Sequence, residues 1–169
     1  STVAYFIITE PTRDTQWALG TPNPISWTKG VLDDIASFDV EMARLDSDGL
    51  TFVAQNVPAA HSSLNILLQD VPLGDDYFLL FMNSTHGVTY ATSPRFSVVS
   101  GSSSKSTASV VSDVQTVTVN GAPNPTQQFA VTFPAMENRG FASWGDARQA
   151  WSLGSVLVGC VVGVVWTLR

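Results

Sequence analysis

Cysteine is nearly absent from this chain: the one residue of that type, Cys160, falls in its last ten positions. The region before it therefore has no disulfide to draw on and must be held by its core. About 95 residues, from Tyr5 to Val99, can do that at modest stability. Histidine is scarce as well. His61 and His86 are the only two, with no Cys or third imidazole nearby and no histidine at the start, so a zinc or copper site would be under-liganded. Positive charge is thin. From Tyr5 to Val99 four basic residues (Arg13, Lys29, Arg44, Arg95) stand against eleven acidic ones, a formal balance of −7 that argues against nucleic acid and anionic lipid as partners. There is no G-x-S-x-G elbow, and no serine has a histidine at a suggestive spacing, so no nucleophile is nominated.

What is present is a succession of short apolar runs separated by turn residues, the pattern of an all-β domain. Seven strands are predicted: Tyr5–Thr9, Ile25–Thr28, Phe38–Leu45, Leu50–Asn56, Ser63–Gln69, Tyr77–Met82 and Tyr90–Val99. The third alternates strictly at its start, with Phe38, Val40 and Met42 on one face and Asp39 and Glu41 on the other, as a half-buried strand does. Asp46-Ser47-Asp48-Gly49 then reads as a hairpin loop, since Asp and Gly tolerate left-handed backbone. Tyr77–Met82 is apolar on both faces and belongs inside a sheet. Pro94 marks a bulge or an edge in the last run. Seven such strands fit an immunoglobulin- or fibronectin type III-like β-sandwich. Trp27 is placed to fill the space between its sheets, and Leu73-Gly74-Asp75-Asp76-Tyr77 resembles a tyrosine corner.

From Ser100 the composition shifts to Gly101-Ser102-Ser103-Ser104-Lys105-Ser106-Thr107, a hydroxyl-rich run that cannot bury a core. Residues 100–138 are expected to form a flexible Ser/Thr-rich stalk able to carry O-linked sugar. The alternation in Val114–Val119 and Phe129–Phe133 leaves a small added hairpin as the alternative, although Pro123 and Pro125 interrupt it. Trp151 to Leu168 is an uncharged apolar segment of eighteen residues, marginal against the roughly 20 that a ~30 Å hydrocarbon core requires. A spacer, Phe141 to Ala150, separates it from Asn138-Arg139-Gly140. Small residues, spacer and apolar tail make up the layout of a glycosylphosphatidylinositol (GPI) attachment signal, with Asn138 as the lipid-bearing residue and 139–169 removed. A single transmembrane helix ending at Arg169 is the alternative. At the other end, residues 1–4 read as the remnant of a signal peptide, with small Thr2 and Ala4 before Tyr5; Ser1 as the mature start is the alternative.

Few residues nominate a site. Asn83-Ser84-Thr85 is the one N-x-[ST] sequon and falls in a turn, so Asn83 is expected to be glycosylated. The carboxylate pairs Asp33-Asp34 and Asp75-Asp76 read as solvated turn charge, since neighbouring side chains on a turn point apart. Asp46-x-Asp48-Gly49 lacks the third ligand and distant Glu of a calcium loop. Trp17, placed in a loop, is the aromatic that could stack on a sugar ring or else cover one end of the core.

Taken in order, Ile8-Thr9-Glu10-Pro11, Trp17 with Gly20, Ile25-Ser26-Trp27-Thr28-Lys29-Gly30, Gly74-Asp75-Asp76-Tyr77-Phe78-Leu79 and Ser93-Pro94-Arg95-Phe96-Ser97-Val98 carry a resemblance. Over residues 5–99 the chain resembles the fungal Ser/Thr-rich GPI-anchored family with the N-terminal Ig-like domain of the yeast killer-toxin-resistance proteins linked to β-1,6-glucan assembly. The resemblance implies a non-catalytic module without cofactor, held on the outer leaflet of the plasma membrane and associated with cell-wall polysaccharide such as β-glucan. The short Ser/Thr region and the lack of those proteins' C-terminal domain depart from the glucan-assembly members. A carbohydrate-active enzyme using loop carboxylates, or a purely structural or adhesive surface spacer, are the alternative functions.

Overall fold

Strand-forming alternation dominates the chain, and the computed structural model is all-β, with no helix among the described residues. Those are residues 5–30, 34–45, 47–101, 110–124 and 126–135, the side chains of 47 and 48 excepted. The expected signal remnant, the lipid site Asn138 and the apolar tail lie outside them. Among the described residues no helix is long and apolar enough to cross a membrane.

Eleven strands are formed: β1 (Phe6–Glu10), β2 (Gln16–Ala18), β3 (Pro22–Lys29), β4 (Ser37–Arg44), β5 (Ser47–Pro58), β6 (Ser63–Gln69), β7 (Gly74–Asn83), β8 (Val88–Thr92), β9 (Phe96–Val99), β10 (Thr116–Asn120) and β11 (Val131–Thr132). They make a four-stranded sheet in the order β1-β3-β6-β10 and a larger one in the order β11-β5-β4-β7-β9-β2, with β8 paired to β7. The two sheets share one apolar core. Phe6 and Trp27 of the first meet Phe38 and Phe81 of the second, with ring centroids 4.7 Å apart for Phe6–Phe38 and 5.5 Å for Trp27–Phe81. Such tilted and edge-on pairs add about 0.5–1.5 kcal/mol each beyond the area they bury.

Three sequence expectations are corrected. The run Tyr90–Val99 is two strands rather than one. Ser93-Pro94-Arg95 separates them, because a proline offers no N–H to a ladder. The segment around Trp17 is a strand, β2, lying parallel to β9. The stalk expected from Ser100 is, over residues 110–135, part of the fold. There β10 runs parallel to β6 and β11 parallel to β5, so the segment is not a hairpin either. Val117, Val119 and Phe133 are buried in the core. At ~1.5–3 kcal/mol for each fully buried large apolar side chain, this segment stabilises the domain by several kcal/mol.

The consecutive strands β1 and β2 lie in different sheets, and so do β10 and β11. In each case the chain steps from one sheet to the other.

Candidate functional site: a polar notch at two strand breaks

On one edge, two interruptions of regular pairing sit side by side. The first separates β1 from β2: a cis peptide bond joins Glu10 to Pro11, and a tight turn follows. Thr15 holds that turn. Its amide donates to the Thr12 carbonyl at 3.2 Å, its Oγ1 accepts from the Thr12 amide at 2.8 Å, and the same hydroxyl donates to Glu10 Oε2 at 3.2 Å. The second interruption, Ser93–Arg95, separates β8 from β9. Here the Ser93 hydroxyl substitutes for a ladder carbonyl, accepting the Leu79 amide at 2.8 Å and donating to the Pro94 carbonyl at 2.7 Å. The Ser97 amide donates to the Thr15 carbonyl at 3.1 Å and joins the two breaks.

Between them opens a cavity of about 690 Å³, lined by Arg13, Asp75, Asp76, Ser93, Pro94, Arg95, Phe96 and Ser97. Its size lies within the ~300–1,000 Å³ of ligand sites. Its lining is mostly polar, and its fixed charges, two arginines and two aspartates, cancel. Arg95 Nη1 pairs with Asp76 Oδ1 at 3.3 Å, while the side chains of Arg13 and Asp75 have no partner among the described residues. Beneath, Phe96 is buried against Trp17, with ring centroids 4.3 Å apart. The frame is thus internally satisfied, and its free donors and acceptors belong to lining side chains.

The neighbouring corner is equally fixed. The Tyr77 hydroxyl donates to the Pro72 carbonyl at 2.6 Å, the bond expected of a tyrosine corner. Arg44 lies over the Tyr77 ring at 5.5 Å and donates from Nε to the Asp75 carbonyl at 3.1 Å. Burial raises the Tyr77 pKa, and the Arg44 charge opposes that rise. A Cβ at Gly74 would stand 2.1 Å from Arg44 Nη2, so a larger residue there would displace the guanidinium from its place over Tyr77.

The residues singled out by sequence do not converge on the notch. Trp17 is fully buried rather than exposed, which corrects its reading as a sugar-stacking aromatic: a ring with no accessible face cannot take a ligand. Asn83 ends β7 in the β7–β8 turn, where its Oδ1 accepts the His86 amide at 3.2 Å. His61 and His86 are exposed, in the β5–β6 and β7–β8 turns, and among the described residues no group of three or more His, Cys, Asp or Glu gathers as metal ligands would. Asp34 is exposed, and Asp33 and Asp46 lie outside the described residues. Of the carboxylate pairs, Asp75-Asp76 alone borders the cavity.

Two buried acids are found where alternation predicted a solvent face. Asp39 is 6% and Glu41 2% exposed. Asp39 is well satisfied, its Oδ1 accepting the Asn56 amide at 2.8 Å and its Oδ2 the Ser84 amide at 3.1 Å and the Ser84 hydroxyl. Glu41 lies between Phe52 of β5 and Leu80 of β7, and its Oε2 has no hydrogen-bond partner among the described residues. Burial, and secondarily the Asp39 charge, raise its pKa.

Comparison with protein-family models, with curated proteins and with solved structures returns no match.

Proposed function

We propose that this chain is a non-catalytic, GPI-anchored cell-surface glycoprotein whose domain binds neutral wall polysaccharide, such as β-glucan, in the notch. The observation that carries this reading is the charge balance of the cavity: a domain of formal charge −7 assembles two arginines and two aspartates there. Guanidinium groups offer only donors and carboxylates only acceptors, so together they match the hydroxyl pairs of an uncharged sugar chain. A polyanion would meet Asp75 and Asp76, and a lipid tail would find little apolar wall.

An immunoglobulin-like sandwich is the fold reading that goes with this proposal. Counting β1 with β2 as one split strand and β8 with β9 as one broken strand leaves seven principal strands, with β10 and β11 added at the edges. The hydrogen bond from Tyr77 to Pro72 supports it. The address rests on the sequence: the apolar run Trp151–Leu168 and its spacer after Asn138. With Phe133 in the core, five residues reach Asn138, at most ~18 Å of extended chain, so the tether is shorter than the stalk first expected.

The test is retention of the secreted protein, ended at residue 138, on insoluble β-1,3/1,6-glucan and on chitin. Retention should fall by about tenfold or more in Arg13→Ala and in Asp75→Ala, since hydrogen bonds to charged groups contribute ~1.5–3 kcal/mol. Failure to bind any wall polymer would assign the domain a spacer role or a protein ligand, and released sugar would make it an enzyme. Release of the cell-surface protein by a GPI-specific phospholipase C tests the anchor.

A further inference from the structure

Sheet edges invite pairing with foreign strands, and folded proteins blunt them with bulges, prolines, charges or shortness. Nearly every edge here is treated in this way. β1 carries an irregularity between Ile8 and Glu10 and runs into Pro11. β2 has three residues and follows Arg13-Asp14. β8 has a register shift opposite Phe81/Met82, and its Tyr90 packs on Phe6 of β1 and on Tyr5 just before that strand. β11 has two residues and stops before Pro134.

The exception is β10. Its five residues, Thr-Val-Thr-Val-Asn, hold an unbroken register along β6 and contain no proline, glycine or charge. Bonds from the Asn65 amide to the Gln115 carbonyl and from the Gly121 amide to the Gln69 carbonyl set the parity of that ladder. Odd-numbered residues therefore bond β6, and the N–H and C=O groups of Thr116, Thr118 and Asn120 face the open side. They have no partner among the described residues. The side chains of these three residues are exposed, and those of Val117 and Val119 are buried.

We infer that β10 is a self-association edge, at which two copies of this chain pair antiparallel about a two-fold axis through Thr118. Charge identifies the occupant. The domain as a whole is strongly acidic and repels its own kind, yet no charged side chain occurs from Val114 to Ala135. A second copy brings the same uncharged strand. With Thr118 opposite Thr118, Thr116 faces Asn120 in both directions, and every open N–H and C=O of the three residues is satisfied reciprocally. The pairing is isologous and closes at two copies. The nearest acid on the segment, Asp113, lies opposite Pro123, which keeps the two Asp113 residues about 33 Å apart along the strands, beyond the ~10 Å screening length.

The register makes a sharp test in the full chain carrying Cys160→Ser. Hydrogen-bonded antiparallel partners have Cα atoms ~5.5 Å apart, within the ~4.4–6.8 Å that a disulfide spans. Thr118→Cys should therefore give a disulfide-linked dimer under mild oxidation. Thr116→Cys, whose two copies would lie ~13 Å apart, should not. Both positions are exposed, so neither change disturbs the core. In the unsubstituted protein the Thr118 amide should gain hydrogen-exchange protection as concentration rises, and Thr118→Lys should remove that gain. Cross-linking at Thr116 as efficient as at Thr118, no cross-link at Thr118, or a ladder of higher oligomers would each overturn the two-fold pairing. So would protection of the Thr118 amide that does not depend on concentration, which would assign the edge to a partner within the same chain.

Discussion

Asp39, on the central strand β4, accepts both the amide and the hydroxyl of Ser84, the middle residue of the sequon. The bond ties the inside of the larger sheet to the β7–β8 turn. Asp39→Ala leaves the Asn56 and Ser84 amides without their acceptor. A loss of about 1–3 kcal/mol is expected, read as a lower urea midpoint. Asp39→Asn, which keeps an acceptor oxygen, should lose less.

The same turn presents Asn83. Protein secreted from a eukaryotic host should shift in mobility on treatment with an N-glycosidase, and Asn83→Gln should abolish the shift. An unchanged mobility on enzyme treatment would show that this sequon is not used.

Glu41 makes stability depend on pH. Its pKa in the folded state is raised by burial first and by Asp39 second, and among the described residues no cation faces it from β5 or β7. A raised folded-state pKa means that the proton favours the fold. This contribution is complete below the ordinary carboxylate value and is lost as pH rises through the raised one. Glu41→Gln, a permanent mimic of the protonated acid, should be more stable than the parent at neutral pH and flatten this part of the profile. Urea midpoints measured between about pH 4 and 8 decide it.

Trp17 should prove to be a core residue. Trp17→Ala is expected to cost about 3–5 kcal/mol in unfolding free energy, the range for large aromatic truncations in a core. Trp17→Phe should leave polysaccharide retention unchanged while lowering stability. A loss of retention at unchanged stability would restore the stacking role.

Ending the chain at Gly101 removes β10, β11 and Phe133. Thermal unfolding of the fragment ending at 101 should occur well below that of the fragment ending at 138, because Val117, Val119 and Phe133 together bury several kcal/mol of apolar surface. Equal melting temperatures would mean that the two added strands contribute nothing.

Most strands were legible because alternation and turn residues are local properties. Phe38, Val40 and Met42 point into the core as their spacing requires, and Tyr77 makes its corner bond. The same alternation misplaced Asp39 and Glu41. Their strand lies at the centre of its sheet, and the neighbours Phe52 and Leu80 cover the outer side of Glu41. The notch was not legible at all. Arg13 and Asp75 are more than sixty positions apart, and only the coincidence of two strand breaks brings them to one cavity. Asp75 and Asp76 read from the sequence as turn charge alone.

The sequence by itself determined that this domain is all-β, has no disulfide and few cations, and precedes an uncharged apolar run. Composition and period carry such properties, and they need no partner strand to be read. Only the tertiary structure decided that the chain after the Ser-rich run returns to add β10 to one sheet and β11 to the other, burying Val117, Val119 and Phe133. Parallel pairing of strands about fifty and about seventy-seven residues apart leaves no local trace, because a Thr-Val alternation looks the same on a free segment and on a sheet edge.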